Sequence, residues 1–420
     1  MWPGPRTDTD LRLHRRAVRV WACFVLVQAV FAAVISIRAK YAERRREARR
    51  PATYPSEELP KMRLDHADSN MRLFMLGEQM LDDLIDAIDH AREQVLIETF
   101  IWRDDGVGRR VRDALARAAE RGVSVKVLWD WFMSDRGLED GFFPASIEAY
   151  PFKQIMPGLS ALRPGNLLRD HRKMAVIDTE IAFVGGYNFG DEYAAWRDTH
   201  LRVEGAAARE VANAFVDFWN HHTPTAATRL ADVTARPWDP HVLVHRNDPT
   251  MATFPIRGMY LDAIDRAEER IWITTAYFVP DRAFRNALTD AARRGVDVRV
   301  LLPQRSNHPL TDVLAHGMFD DLLSAGGRVF LYRDFMVHAK TAVVDRAWIT
   351  GGTANLDRWS MLGNYEVNLE VRSSRLADQL AGIFQIDLAN CDEVHLDGWR
   401  RRPLSWRVSE RVLRSLAPLM

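Results

Sequence analysis

The chain has 420 residues, of which 47% are hydrophobic and 27% are charged, and its 57 Lys and Arg balance its 57 Asp and Glu. This composition is typical of a globular protein with one large or two ordinary domains and excludes a disordered chain. Cys23 and Cys391 are the only cysteines in the sequence. They exclude a disulfide scaffold and a paired-cysteine metal or redox motif.

The net charge of zero conceals an uneven distribution. Residues 1–50 carry twelve Lys and Arg against four Asp and Glu, and residues 396–420 carry six against two, which leaves a charge of −12 between them. Basic ends on an acidic body favour termini that meet an anionic surface. They argue against a nucleic-acid binder, and we expect no nucleic-acid partner.

The first predicted element is a membrane anchor. The eighteen residues from Val20 to Ile37 carry no charge, and as a helix they would span about 27 Å, close to the hydrocarbon thickness of a bilayer. A cleaved signal peptide is the alternative, but no clear small-x-small cleavage site follows and basic residues come at once. We predict an uncleaved single-pass anchor within residues 1–60, and the basic excess behind it favours a cytoplasmic body.

Beyond a charged, proline-punctuated linker, the chain repeats itself. Residues 84–101, LIDAIDHAREQVLIETFI, align with residues 260–277, YLDAIDRAEERIWITTAY. Each half continues with an amphipathic helix and a β-rich run, RGVSVKVLWD at 121–130 and RGVDVRVLLP at 294–303. This order predicts an α/β fold of two duplicated halves, residues 61–230 and 231–395, with mainly parallel sheets flanked by helices.

The candidate chemistry lies late in each half. HRKMAVID at 171–178 and HAKTAVVD at 338–345 repeat the pattern H-x-K-x4-D at equivalent places. In a strand, residues i and i+2 share a face, so His171 would project with Lys173, and His338 with Lys340. For a single copy of the motif, the alternative is a hydrogen-bonded histidine in a strand beside a solvent-exposed lysine. Because the motif occurs twice at equivalent places, a shared site is favoured instead.

Two imidazoles and two ammonium groups around one pocket suit a phosphodiester. The lysines can neutralise the non-bridging oxygens, one imidazole can attack phosphorus, and the other can protonate the leaving alkoxide. A metal-binding site is the alternative interpretation, but an ammonium group beside each imidazole would repel a metal cation. We therefore predict no metal and no cofactor. Asp178 and Asp345 complete the motifs, and we expect each to order the turn after its strand.

Small residues and carboxylates follow each motif at matched distances. Asn188 and Asn355 end the segments VGGYN and GGTAN, where glycine permits close approach of the backbone and the Asn amide can donate to a phosphate. Asp198 lies 27 residues after His171, and Glu366 lies 28 after His338. We expect a carboxylate on the far ring nitrogen of each histidine to fix its tautomer. We expect His200 to be a neighbouring strand residue.

Two further segments have apolar character. The proline-broken stretch from Phe142 to Leu168 is interpreted as a lid, a membrane-dipping loop or a buried connection. The basic segment 396–420 has an apolar stripe from Leu404 onward. It suits an anionic membrane interface or packing on its own domain about equally.

The paired motifs with the following GGYN and GTAN resemble the phospholipase D superfamily, and LIETFIWRDDGVG, IAFVGGYNFGDEY and MFDDLL resemble its bacterial cardiolipin synthases. The resemblance covers most of residues 70–390. It implies a covalent phosphohistidine without metal, with His171 as nucleophile and His338 as general acid. The same resemblance implies that the phosphate is held by four side chains: Lys173, Lys340, Asn188 and Asn355.

Two features depart from that family. Gly351-Gly352-Thr353 replaces the commoner glycine and serine pair, and one anchor helix is predicted rather than two or none.

The expected activity is transfer of a phosphatidyl group to the hydroxyl of a second lipid, giving cardiolipin and releasing glycerol or another headgroup alcohol. The expected partners are phospholipids, namely phosphatidylglycerol or phosphatidylethanolamine, and a membrane, the bacterial inner membrane. Hydrolysis at the same site, by a phospholipase D or a nuclease, is the alternative. The sequence leaves the oligomeric state open.

Overall fold

The computed structural model describes residues 69–154, 164–233, 241–333 and 335–413, with Met62–Arg63 and five positions between Gln28 and Ile37. Apart from those five positions, the predicted anchor from Val20 to Ile37 lies outside the described residues, as does the linker at 41–61. No helix among the described residues combines the length and apolar character that a membrane crossing needs.

The first half builds one eight-stranded sheet. Its strands are β1 (Met62–Arg63), β2 (Ser69–Leu76), β3 (Gln94–Thr99), β4 (Ser124–Asp130), β5 (Glu148–Phe152), β6 (Met174–Ile177), β7 (Ile181–Gly185) and β8 (Arg197–Gly205). They pair in the order β1-β2-β8-β7-β6-β3-β4-β5. The helices of this half are α1 (Gly77–Asp89), α2 (Gly106–Glu120), α3 (Asp191–Ala194) and α4 (Ala206–His222).

The second half repeats this arrangement. Its strands are β9 (Val242–Asn247), β10 (Arg270–Thr274), β11 (Phe278–Val279), β12 (Asp297–Pro303), β13 (Arg328–Tyr332), β14 (Thr341–Val344), β15 (Trp348–Gly352), β16 (Leu356–Asp357), β17 (Glu366–Arg372) and β18 (Cys391–Val394). The main sheet has the order β18-β13-β12-β10-β14-β15-β17-β9, and β11 pairs with β16.

Eight helices accompany this second sheet in the described part of the chain. They are α5 (Pro255–Arg266), α6 (Arg282–Arg293), α7 (Pro309–His316), α8 (Phe319–Ser324), α9 (Arg358–Leu362), α10 (Ser374–Leu388), α11 (Leu396–Arg400) and α12 (Leu404–Leu413). The predicted duplication of an α/β unit is therefore confirmed.

The prediction of mainly parallel sheets is wrong. Among the described strands, only the pairings of β3 with β4, β4 with β5, β10 with β12 and β12 with β13 are parallel in the two main sheets. A helical crossover, α2 or α6, joins β3 to β4 and β10 to β12, which permits parallel pairing. The motif strand β6 instead turns directly into β7, and β14 into β15, so these pairs run antiparallel.

The aspartate of each motif holds this reversal in place. The carboxylate of Asp178 accepts hydrogen bonds from the backbone N–H groups of Arg92, Glu93 and Gln94 at 2.8–3.0 Å. Asp345 does the same for residues 268–270. Both aspartates therefore lie at the end of the motif strand opposite to the histidine, and fasten the hairpin to the start of β3 or β10.

The two halves share one apolar core. Buried residues of β8 and α4, such as Leu201 and Phe215, belong to the same cluster as Val367 of β17 and Leu380 of α10. This shared cluster fixes the two sheets against each other. It brings the two histidine motifs face to face.

The C-terminal segment packs on the second half through one side only. Leu413 of α12 is fully buried in the core of that half, whereas Leu404, Trp406 and Val408 are 72%, 51% and 45% exposed. The side-chain amide of Gln28 donates a hydrogen bond to the carbonyl oxygen of Val412 at 2.8 Å. Gln28 thus contacts the end of α12.

Candidate active site

Each histidine motif is positioned by the opposite half. The backbone N–H of His171 donates to the carbonyl of Tyr365 at 3.0 Å, and the N–H of Tyr365 donates to the carbonyl of Arg169 at 3.0 Å. The second half mirrors this, since the N–H of His338 donates to the carbonyl of Arg197 at 2.7 Å. Both histidines therefore precede their strands and do not lie within them as the spacing suggested.

The carboxylates are exchanged between the halves. The Nδ1 atom of His171 lies 3.0 Å from Glu366, and the Nδ1 atom of His338 lies 2.6 Å from Asp198. Each histidine thus pairs with a carboxylate from the other half, although the sequence spacing suggested a partner in its own half. The backbone pairing explains the exchange, because the lead-in to each motif runs beside the residue preceding the other half's acid.

The two lysines complete a buried cationic centre. The Nζ atom of Lys173 donates to the carbonyl oxygen of His171 at 2.8 Å, and Lys340 makes the same contact with His338. Burial lowers the pKa of Lys173 to about 7 and that of Lys340 to about 8. A bound phosphodiester anion would favour the charged form of both side chains.

Both imidazoles are held neutral. Burial, with the nearby charges of Lys173 and Lys340, lowers the pKa of His171 well below its ordinary value. Burial and Lys340 lower the pKa of His338 to about 3. With Nδ1–H donated to a carboxylate, each neutral ring carries its lone pair on Nε2, where it can act as nucleophile or base.

The two carboxylates differ in environment. Although burial acts to raise it, the pKa of Asp198 is lowered to about 2 by the charge of Lys340 and by hydrogen bonds from His338 and from the backbone N–H of Thr199. Burial raises the pKa of Glu366 to about 7, against the opposing effects of Lys173 and the Thr353 hydroxyl, which donates to Glu366. The two halves thus hold carboxylates of unequal basicity.

The segments after the motifs explain part of this asymmetry. Gly186 and Thr353 occupy equivalent positions in the repeat. A Cβ atom on Gly186 would lie 2.1 Å from Oδ1 of Asp198, so any side chain there would displace that carboxylate. In the second half the carboxylate of Glu366 leaves room for Thr353, whose hydroxyl becomes its hydrogen-bond donor.

Gly186→Ala is therefore expected to reduce turnover by roughly 10²-fold, because a small displacement of an orienting group misplaces the imidazole it holds. Gly258→Ala is the control, since a Cβ there meets nothing within 4 Å among the described residues. Initial rates of the catalysed reaction measure the effect. Equal rates for both variants and the parent would contradict the close contact.

The two predicted asparagines differ in what holds their side-chain amides. Asn188 and Asn355 are both buried. The Oδ1 atom of Asn188 accepts from the backbone N–H of Ile101 at 3.1 Å, which fixes the direction of its amide. The Oδ1 atom of Asn355 has no hydrogen-bond partner within the described part of the chain.

Aromatic rings that the sequence interpretation did not select surround the imidazoles. The ring of Phe100 lies 4.7 Å from that of His171, and the rings of Trp196 and Tyr277 lie 5.0 and 6.3 Å from that of His338. The repeat alignment could have indicated Phe100, because Ala276 is its equivalent in the second half. The two imidazoles therefore have different aromatic neighbours.

Two other predicted features have ordinary packing roles. His200 lies in β8, where its ring stacks on Tyr187 with centroids 6.0 Å apart and burial lowers its pKa to about 3. In the stretch from Phe142 to Leu168, Phe143 packs against Trp102 and β5 joins the sheet edge. Residues 155–163 of that stretch lie outside the described residues.

The depressed lysine pKa predicts a pH-dependent stability. Between pH about 7 and about 10, unfolded chains bind a proton at residue 173 that the native state lacks, so native stability rises with pH by at most about 1.4 kcal/mol per unit from this group. Lys173→Met removes that contribution. Denaturant unfolding across this range should therefore show a smaller rise in the free energy of unfolding for Lys173→Met than for the parent.

Lys340→Met is the matched comparison, and its effect should begin near pH 8 because its folded pKa is about 8. Parallel stability curves for the parent and both variants would contradict the buried positions of the two ammonium groups.

No group of three or more His, Cys, Asp or Glu suited to a metal ion occurs among the residues that the structure describes.

The fold belongs to a known class. A solved phosphatidylserine synthase from Haemophilus influenzae Rd KW20 matches 86% of this chain and 95% of its own with a TM-score of 0.65 at 15% identity, a likeness of fold alone. The family model described as cardiolipin synthase, phospholipase D-like domain matches residues 84–219 and 260–388. Both observations define a duplicated phospholipase D-like protein.

Curated relatives narrow the class. The major cardiolipin synthase of Bacillus subtilis (strain 168) is 32% identical over 88% of this chain and 80% of its own. A cardiolipin synthase of Staphylococcus aureus (strain Mu50) is 33% identical over 84% and 74%. The chain belongs to the cardiolipin synthase family. The resemblance inferred from the motifs is confirmed, and with it an enzyme of the phosphatidyltransferase class.

Proposed function

We propose that this protein joins two phospholipids into cardiolipin through a covalent intermediate on His171. The observation that carries the proposal is the pair of buried imidazoles, each oriented by a carboxylate of the opposite half at 3.0 and 2.6 Å. One site with two imidazoles can pass a phosphatidyl group from one alcohol to another without releasing it.

In the first step, Nε2 of His171 forms a bond to phosphorus while the bond between phosphorus and the headgroup oxygen breaks. His338, charged when the anionic donor is bound, gives its proton to the leaving alkoxide, and glycerol or another headgroup alcohol departs. Asp198, with its lowered pKa, stabilises the imidazolium that this requires.

In the second step, neutral His338 takes the proton of the acceptor hydroxyl. The acceptor oxygen bonds to phosphorus as the phosphorus–nitrogen bond to His171 breaks, which regenerates neutral His171 and leaves His338 protonated as at the start of the cycle. Lys173 and Lys340 neutralise the non-bridging oxygens throughout, and the amides of Asn188 and Asn355 donate to them. Asp178 and Asp345 act only by fastening the motif hairpins.

Glu366 has a role that its raised pKa suits. When His171 becomes phosphorylated, its ring gains positive character and Nδ1–H strengthens its hydrogen bond to Glu366. The hydroxyl of Thr353 donates a hydrogen bond to the same carboxylate. Thr353 therefore serves the nucleophile, although it belongs to the second half.

The test is to supply phosphatidylglycerol in vesicles, alone and with phosphatidylethanolamine, and to compare cardiolipin with phosphatidic acid formed. We expect cardiolipin to exceed phosphatidic acid, because a membrane-held site meets lipid hydroxyls at high local concentration. Phosphatidic acid as the main product in every mixture would make the protein a phospholipase D. The two mixtures also separate phosphatidylglycerol from phosphatidylethanolamine as donor.

We also propose that residues 20–37 anchor the protein in the bacterial inner membrane, with its body in the cytoplasm. The hydrogen bond between Gln28 and Val412 supports an anchor beside α12, whose exposed Leu404, Trp406 and Val408 suit the membrane interface. Deleting residues 1–40 should release a large fraction into the soluble phase at high salt. Full retention in high salt would show that this helix is not the principal anchor.

A further inference from the structure

Two exposed apolar side chains lie on segments that contact the neighbours of His171. Phe132 is 59% exposed and Met251 is 71% exposed. Among the described residues, the other large hydrophobic side chains exposed to a comparable degree are Val30, Val34, Ile37, Ile386, Leu404, Trp406 and Val408. Most of that list belongs to the terminal helices, so this pair is a separate feature.

Topology places Phe132 at the edge of the sheet where the chemistry lies. Strand β6 runs antiparallel to β3, and β4 runs parallel to β3, so the start of β6 lies at the same edge as the carboxyl end of β4. His171 precedes β6, and Phe132 follows β4 by two residues. Both residues therefore lie at this edge.

A continuous set of contacts joins the two apolar side chains past the site. The guanidinium of Arg169 lies 5.4 Å from the ring of Phe132, and Nζ of Lys153 lies 5.8 Å from the ring of Tyr365. Phe152 connects them, 5.9 Å from Arg169 and 5.1 Å from Lys153. We call Phe132, Arg169, Lys153, Tyr365 and Met251 the entrance rim.

The remaining link in the rim runs from Tyr365 to Met251. The hydroxyl of Tyr365 donates to Thr250, the residue before Met251, at 3.4 Å. The carbonyl of Tyr365 accepts the backbone N–H of His171. The rim is thus attached directly to the backbone of the proposed nucleophile.

Both apolar tips are held by aspartates. Asp130 accepts the backbone N–H of Phe132 at 2.9 Å and also binds the guanidinium of Arg169. Asp248 accepts the backbone N–H groups of Thr250 and Met251 at 2.8 and 3.1 Å. The backbone under each exposed side chain is therefore fixed, and the exposure is built into the fold.

Both cations of the rim are engaged within the protein. Arg169 is paired with Asp130 at 2.7 Å. The Nζ atom of Lys153 donates to the carbonyl oxygens of Gly165 and Leu168 at 2.9 and 3.4 Å, and burial with the charge of Arg169 lowers its pKa. The rim therefore presents apolar side chains with one neutralised cation and one partly buried cation, so attraction to anionic lipid contributes little here.

We propose that the entrance rim inserts Phe132 and Met251 into the phospholipid bilayer and opens the site toward lipid headgroups. This rests on the proposed function only in taking a bilayer phospholipid as substrate. Transfer of a Phe and a Met side chain from water into the acyl region is favourable. The contact is apolar and insensitive to salt.

The experiment compares two substrates in the full-length protein held in phosphatidylcholine vesicles. One is long-chain phosphatidylglycerol in the same bilayer, and the other is water-soluble short-chain phosphatidylglycerol added outside. We expect the double variant Phe132→Ser with Met251→Ser to consume the bilayer substrate about tenfold more slowly and the soluble substrate at the parent rate. Ile386→Ser, exposed by 40% and outside the rim, is the control and should change neither rate.

Each other outcome is decisive. An equal loss of rate on both substrates would show that these side chains act in folding or in the chemical step. An unchanged rate on both substrates would show that the rim does not insert into the bilayer. If the loss disappears in about 0.5 M NaCl, where screening acts within a few ångströms, the contact is electrostatic and the apolar proposal fails. Measuring phosphatidylglycerol consumed keeps this test separate from the proposed function, which depends on the product formed.

Discussion

His171→Ala and His338→Ala are each expected to lower cardiolipin formation by roughly 10³-fold or more, because each removes a group that bonds to phosphorus or transfers a proton. Lipid analysis of the products from vesicles measures the loss. His90→Ala, on the exposed C-terminal end of α1, is the control. EDTA should leave the parent rate unchanged, and a loss restored by added metal would contradict the two-histidine scheme.

A donor whose leaving group needs no proton separates the two histidines. With phosphatidyl-p-nitrophenol, His338→Ala should still release p-nitrophenolate in an amount close to one per enzyme and retain the lipid phosphate on the protein. His171→Ala should release none above the control. A burst in His171→Ala and none in His338→Ala would reverse the assigned roles.

Asp198→Asn and Glu366→Gln are expected to lower turnover by roughly 10²-fold or more, because an amide lacks the negative charge that stabilises the imidazolium and can donate to Nδ1, which favours the wrong tautomer. Phosphatidyl-p-nitrophenol also tests whether each histidine is oriented by the carboxylate of the opposite half. Since Asp198 orients His338, the burst of p-nitrophenolate should survive in Asp198→Asn. Since Glu366 orients His171, the burst should be slowed in Glu366→Gln.

Glu370→Gln is the matched control for these variants, because Glu370 lies on the same strand β17 and pairs with His245. If each carboxylate served the histidine of its own half, the burst would be lost in Asp198→Asn and kept in Glu366→Gln. The measurement therefore distinguishes the two pairings directly.

The duplication and the site residues were predictable from the sequence because both depend on local pattern. Residues 84–101 and 260–277 align without gaps, and two H-x-K-x4-D motifs at equivalent places indicate one shared chemistry. The strand directions were not predictable in the same way. The turn after β6 uses positive φ at Asp178 and Thr179, where no glycine marks the reversal.

The pairing of histidines with carboxylates was also beyond a linear interpretation. The spacing along the chain suggested that His171 pairs with Asp198. The Nδ1 atom of His171 instead contacts Glu366, which lies 195 residues away in the sequence. Two backbone bridges, one between Arg169 and Tyr365 and the other between Arg197 and His338, determine which acid meets which imidazole. Thr353 was visible as a departure from the family pattern, but its contact with Glu366 depends on the same exchange.

The exchange of carboxylates has a consequence for how the enzyme is assembled. A single half, folded alone, would hold an imidazole without its acid and an acid without its imidazole, so it could complete either pair only by meeting a second copy. The covalent link between the halves replaces that encounter with an intramolecular one. The working site should therefore form independently of protein concentration, as in a dimer whose two subunits have been joined into one chain.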